Sequence, residues 1–136
     1  MQCTKSSHTT DIHKHIDYWV AIKSGKTWGV DVKGNNLPDE IWCEFKNVHG
    51  NPGWMYGGAH YIAFDMPEVG GFAIVNREEL AFFCEKHVKD EFVSTKNEAY
   101  LRKYQRNDRK DVITKVRLSD LESMVSYRVW NYDTKY

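Results

Sequence analysis

Along the first half of the chain, apolar and polar residues alternate over short runs. Residues 16–22, 27–32 and 41–48 are rich in β-branched and aromatic side chains and predict three strands. Ser24-Gly25 separates the first two, and Gly34-Asn35-Asn36-Leu37-Pro38-Asp39 separates the second from the third. A glycine- and aromatic-rich stretch, HGNPGWMYGGAHYIAFD, follows; its end (61–64) predicts a fourth strand, and 72–75 a fifth. At Asn76 the period changes. Asn76 can cap a helix, Glu79 completes a capping-box pattern, and Leu80, Phe83, Cys84 and His87 recur at helical spacing. Residues 96–117 are charged and read as loop or loose helix. Within and beyond them, 112–118 return to strand, and Ser119 with Glu122 repeats the cap pattern before a short last helix. Strands first and helix later predict an α/β (α+β) fold, with one mixed central sheet flanked by helices.

Length and composition narrow this picture. A chain of 136 residues, 41% hydrophobic and 14% aromatic, suits one compact domain over 1–136. No apolar run approaches the ~20 residues that span a bilayer, and the polar start MQCTKSSHTTDIHKH has no signal-peptide core. Cys3, Cys43 and Cys84 are sparse and odd in number, which favours free thiols and an intracellular, cytoplasmic setting. Basic and acidic residues balance at 19 each, so any electrostatic attraction to a partner must be local.

The candidate chemistry lies in HIDYWVAIKSGKTWGVDVKGNN, residues 15–36. Side chains alternate along a strand, so Asp31 and Lys33 share one face while Val30 and Val32 take the other. On the preceding strand Asp17 points away from Tyr18, Val20 and Ile22. Paired strands would bring two carboxylates and an ammonium together. Hard cations such as Mg²⁺ want carboxylate oxygens, and a lysine beside them can hold a water or a phosphate. The plain alternative is cross-strand ion pairing on a solvated sheet face.

These residues resemble the PD-(D/E)XK nuclease superfamily, in which an aspartate opens one strand and D/E-x-K ends the next. Ile16-Asp17 stands where the family has Pro-Asp, Asp31-Val32-Lys33 stands for (D/E)-x-K, and Gly34 follows. The block EFKNVHGNPGWMYGGAHYIAF looks like one found in small phage-type endonucleases and resolvase-like members. The likeness covers about residues 13–88 and leaves 96–136 as a basic strand-and-helix extension. Ile16 replaces the proline, and Asp11 is the only carboxylate ahead of Asp17. The resemblance implies a restriction-endonuclease-like core and a metal-dependent hydrolase acting on nucleic acid, in particular DNA, with a homodimer as one arrangement. It implies Mg²⁺, replaceable by Mn²⁺, held by Asp17, Asp31 and the Val32 carbonyl, with Lys33 acting on the water. Glu44 would be an accessory catalytic and metal-binding carboxylate. A second register uses Asp31 with Glu44-Phe45-Lys46, which makes Glu44 and Lys46 the motif. The rival reading is a non-catalytic module of the same fold that binds nucleic acid or a protein.

Other residues add to a nucleic-acid surface. Lys46, Asn47 and His49 precede the Gly-rich loop and suit phosphate contacts. Tyr56 is open to base stacking, whereas Trp54 reads as a core plug. Residues 96–117 carry eight basic side chains against three acidic, and Arg102, Lys103, Arg106, Arg109 and Lys110 are the candidates for contacting the phosphate backbone. His8, His13 and His15 with Cys3 invite zinc, but their spacing reads better as a solvated tail.

Overall fold

β-branched and aromatic residues in short runs, bounded by Gly, Pro and Asn, pay for strand formation only where one face meets a core. Most of the predicted runs do so here. The computed structural model describes residues 2–5, 18–21 and 26–132. It is a mixed α+β protein dominated by strands. In chain order the elements are β1 (Gln2–Lys5), β2 (Tyr18–Ala21), β3 (Thr27–Lys33), β4 (Glu40–Lys46), a 3₁₀ turn (Trp54–Tyr56), β5 (Tyr61–Met66) and β6 (Gly71–Asn76). Helix α1 (Arg77–His87), β7 (Lys89–Phe92), a second 3₁₀ turn (Lys96–Glu98), β8 (Arg102–Lys103), β9 (Val112–Arg117), α2 (Leu118–Glu122) and β10 (Arg128–Asn131) complete it.

The main sheet has six strands in the order β1-β2-β3-β5-β6-β10. Only β3 and β5 run parallel; the remaining neighbours are antiparallel. Strand β4 does not continue the β2–β3 hairpin. It crosses to a second layer and pairs antiparallel with β9, a partner some 70 positions away in the sequence. β7 and β8 form a small parallel pair.

The principal core lies between these layers. Ile62, Phe64, Met66 and Val75 of the main sheet pack with Ile41, Cys43 and Val116 of the β4–β9 ribbon and with Leu80 and Cys84 of α1. The opposite face of the main sheet carries a smaller cluster of Val30, Ala63 and Ile74, flanked by Val32, Tyr61, Phe72 and Trp130. The parallel register sets Asp31 beside Ile62 and Lys33 beside Phe64, so the two charged residues sit on the principal-core side. The alternation read from Val30 to Lys33 holds.

Helix α1 begins as expected, and its cap is completed from far along the chain. The Asn76 side chain accepts the Glu79 N–H at 3.0 Å. The Glu79 carboxylate does not return to Asn76; it accepts the N–H groups of Val125 and Ser126 at 2.7 and 3.1 Å. Ser126 Oγ takes the Asn76 N–H instead, at 2.9 Å. Burial acts to raise the Glu79 pKa, but the Ser126 and Val125 hydrogen bonds outweigh it and hold the carboxyl below the ordinary glutamate value. A depressed carboxylate stabilises the fold above its unfolded pKa of about 4.3, and that contribution is lost as pH falls through the folded value. Glu79→Gln is therefore expected to cost about 1 kcal/mol at pH 7. The gap from wild type should close on acidification toward and below the folded pKa, read by urea denaturation at a series of pH values. A gap unchanged into acid would refute the charged-cap account.

Two expectations are corrected. The last helix starts at Leu118, and the Asp120 carboxylate accepts the Arg117 N–H at 3.0 Å, so Ser119 and Glu122 are not its cap pair. Residues 99–104, expected as loop or loose helix, are stitched onto β9 by bridges Tyr100–Lys115 and Tyr104–Ile113. Thr114 Oγ donates to the buried Ala99 carbonyl there. β10 was not legible as a strand; it lies so close to β6 that a Cβ on Gly71 would run into the Trp130 carbonyl. No helix among the described residues is long and apolar enough to cross a membrane.

Candidate functional site

Asp31 lies near the C-terminal end of β3 and is 2% exposed. A carboxylate so far from water needs a compensating charge. Lys33, two residues on and on the same face, provides it, with Nζ 3.2 Å from Oδ2. The Lys33 side chain keeps 29% of its surface open, and its ammonium also stands 5.2 Å from the Trp54 ring centroid. Val32 places its side chain on the other face, against the smaller cluster. Asp17 lies outside the described residues; Tyr18, which follows it in the chain, pairs with Val30, which precedes Asp31.

Glu44 comes from the second layer, opposite Ile113 of β9, so it is not a cross-strand neighbour of Asp31. Its carboxylate accepts the Trp54 N–H at 3.2 Å. The indole of Trp54 is almost wholly buried and lies edge-on to Phe64 at 5.9 Å. Lys46 is exposed beyond an irregularity in the β4–β9 ladder. Asn47 organises the following turn, its side chain accepting the N–H groups of His49 and Asn51 at 3.0 and 3.1 Å. His49 is exposed. Tyr56 is also exposed, and its hydroxyl donates to Glu85 at 2.9 Å. Burial first, and then Glu85, push that phenol well above the ordinary tyrosine value.

The C-terminal basic run is less positive in space than in sequence. Arg102 pairs with Glu91 at 3.3 Å, Lys103 with Asp90 at 2.7 Å, and Arg106 with the fully buried Asp111 at 2.6 Å. The Lys103 hydrogen bond holds the Asp90 carboxyl below its usual range. Arg109 and Lys110 remain exposed in the turn before β9.

The fold also assembles a cleft that the sequence did not reveal. A hollow of about 420 Å³ is lined by Lys33, Lys96 and Lys115, with Trp42, Trp54 and Phe64, and among the described residues no acidic one is part of its lining. Lys115 is only 7% exposed; its ammonium lies 3.5 Å from Glu40 and 5.7 Å from the Trp42 ring. A second hollow, about 370 Å³, shares Trp42, Trp54 and Lys96 and adds Glu44, Tyr104 and Arg106. Trp42 and Lys115 face each other across the β4–β9 ladder, and only that long-range pairing brings them together.

Asp31 and Glu44 offer hard oxygen donors of the kind Mg²⁺ prefers. Among the described residues no group of three or more His, Cys, Asp or Glu side chains is gathered to hold a metal ion. His8, His13 and His15 lie outside the described residues. Cys43 and Cys84 are buried free thiols, and burial, then Cys84, push the Cys43 thiol up. The fold and site thus define a mixed α+β protein with a buried Asp-x-Lys pair beside a lysine- and tryptophan-lined cleft. Comparison with family models, curated proteins and solved structures gives no match.

Proposed function

We propose that this protein is a metal-dependent nuclease with a restriction-endonuclease-like core, hydrolysing phosphodiester bonds of DNA. One observation carries the reading: an Asp-x-Lys pair, 3.2 Å apart on one strand face, adjoins a cleft to which two further lysines and, among the described residues, no carboxylate contribute. Asp31 and Asp17 would hold Mg²⁺ or Mn²⁺, with the Val32 carbonyl as a further oxygen donor. A bound divalent ion supplies a more acidic water and neutralises charge on the scissile phosphate. Lys33 orients that water or the phosphate through its ammonium, while the exposed Lys96 draws the strand into the cleft. Lys46, His49, Arg109 and Lys110 extend the phosphate-binding surface.

A second reading has its own support. Asp31 is nearly inaccessible and already neutralised by Lys33, which suits a non-catalytic module that binds nucleic acid. Supercoiled plasmid, a four-way junction and a single strand, each with Mg²⁺, Mn²⁺ or EDTA, separate the two. Cleavage with either metal and none in EDTA, lost in Asp17→Asn, is the expected result. A salt-sensitive mobility shift without cleavage in any metal would replace the nuclease with the binding module.

A further inference from the structure

The hollow beside Lys33 and the second one adjoining it have a shape and lining that a duplex does not need. Each lies within the range of about 300–1,000 Å³ typical of sites for small units. They share a wall formed by Trp42, Trp54 and Lys96, which suits a ligand of two linked units, one in each hollow. Each hollow has an aromatic surface. Trp42 is half-buried and faces both, and Tyr104, at 6.4 Å from it and tilted by 38°, faces the second. Trp54 is largely occupied by Phe64 and Lys33. The lysines also differ. Lys33 and Lys115 are engaged by Asp31 and Glu40, whereas Lys96 is exposed and makes no ion pair among the described residues.

We infer that the two hollows take two consecutive unpaired nucleotides of a single strand, with bases against Trp42 and Tyr104 and the linking phosphate at Lys96. A base has a free face for an aromatic side chain only when it is not stacked inside a duplex. A phosphate between two bases is the single anion that one unengaged ammonium on a shared wall would match. The inference names the substrate form for the nucleic-acid reading above and rests on it, but not on hydrolysis. Single-stranded segments, including flaps and strand ends, are thus the form this cleft selects.

The test is fluorescence anisotropy in EDTA, which stops metal-dependent cutting. The probe is a labelled oligonucleotide of about twelve residues, alone and annealed to its complement, titrated at several salt concentrations. The single strand is expected to bind at least about tenfold more tightly than the duplex. Tyr104→Leu and Trp42→Leu should each weaken single-strand binding about tenfold. Lys96→Ala should flatten the log–log salt slope by about 0.7, and Lys86→Ala, on the far turn of α1, should leave it unchanged. Thermal melts screen each variant for folding. If Trp42→Leu does not fold, the exposed Lys96 and the half-buried Tyr104 decide alone. Equal or tighter duplex binding, or folded Lys96 and Tyr104 variants that bind like wild type, would overturn the inference. Single-strand binding with no cleavage in Mg²⁺ would remove hydrolysis only; cleavage of duplex without single-strand preference would remove this inference only.

Discussion

With Lys33 replaced by methionine, metal-dependent strand cleavage is expected to fall about a thousandfold, the loss typical of removing one preorganised charged or hydrogen-bonding group. Methionine keeps much of the stem that packs beside Trp54 but removes the ammonium 3.2 Å from Asp31. It also takes the Lys33 cation away from the buried Asp31 carboxylate. Breaking a fully buried pair costs about 3–5 kcal/mol; because Lys33 is 29% open, about 1–2 kcal/mol is expected here. Cleavage and stability must therefore be separated. Asp31→Asn does this, since it keeps the shape of the side chain and leaves Lys33 free to swing to solvent. It should cost under about 1 kcal/mol and still abolish cleavage. Rates on the best-cut substrate, with denaturation curves for each variant, supply the comparison. An Asp31→Asn protein that cuts at the wild-type rate would remove Asp31 from the reaction and bring Glu44 and Lys46 forward.

Gly53→Ala is expected to destabilise the fold by about 2–3 kcal/mol, a fall in Tm of about 6–10 °C for a domain of this size. The reason is proximity, since the backbone of Gly53 is extended (φ −80°) and open to any residue. A Cβ there would stand 2.5 Å from the Glu44 carbonyl oxygen and 2.7 Å from Glu44 Cγ. The backbone of β4 cannot yield, because it is held in the ladder with β9 and by the Gly53 N–H donated to Phe45 at 2.8 Å. The methyl group would therefore push out the loop that carries Trp54 and strain its hydrogen bond to Glu44. Gly34→Ala is the control, since a Cβ on Gly34 meets nothing within 4 Å. Equal melting temperatures for the Gly53 and Gly34 variants would show that the loop adapts and that Trp54 is not clamped by β4.

Local periodicity carried much of the fold. The alternation Val30-Asp31-Val32-Lys33 predicted which side chains share a face, because strand geometry permits only two directions. Asn76 predicted the start of α1, because a side-chain acceptor three residues before an unpaired N–H is a local arrangement. Reading Trp54 as a core plug followed from a glycine-bounded aromatic, and the indole is indeed buried. The basic run from 96 to 117 misled as a count, because Glu91, Asp90 and Asp111 neutralise three of its members from neighbouring positions in space.

What the sequence by itself determined is therefore six of the ten described strands, β2–β6 and β9, the face shared by Asp31 and Lys33, and the Asn76 N-cap of α1. Tertiary structure alone decided that β4 leaves the β2–β3 hairpin for β9, and with it the cleft of Lys33, Lys96, Lys115 and Trp42. Strand alternation and the Asn76–Glu79 cap bond are fixed within a few residues, where sequence spacing equals spatial spacing. The cleft joins residues more than 60 positions apart, and their meeting depends on which of several apolar strand faces buries the most surface against the others.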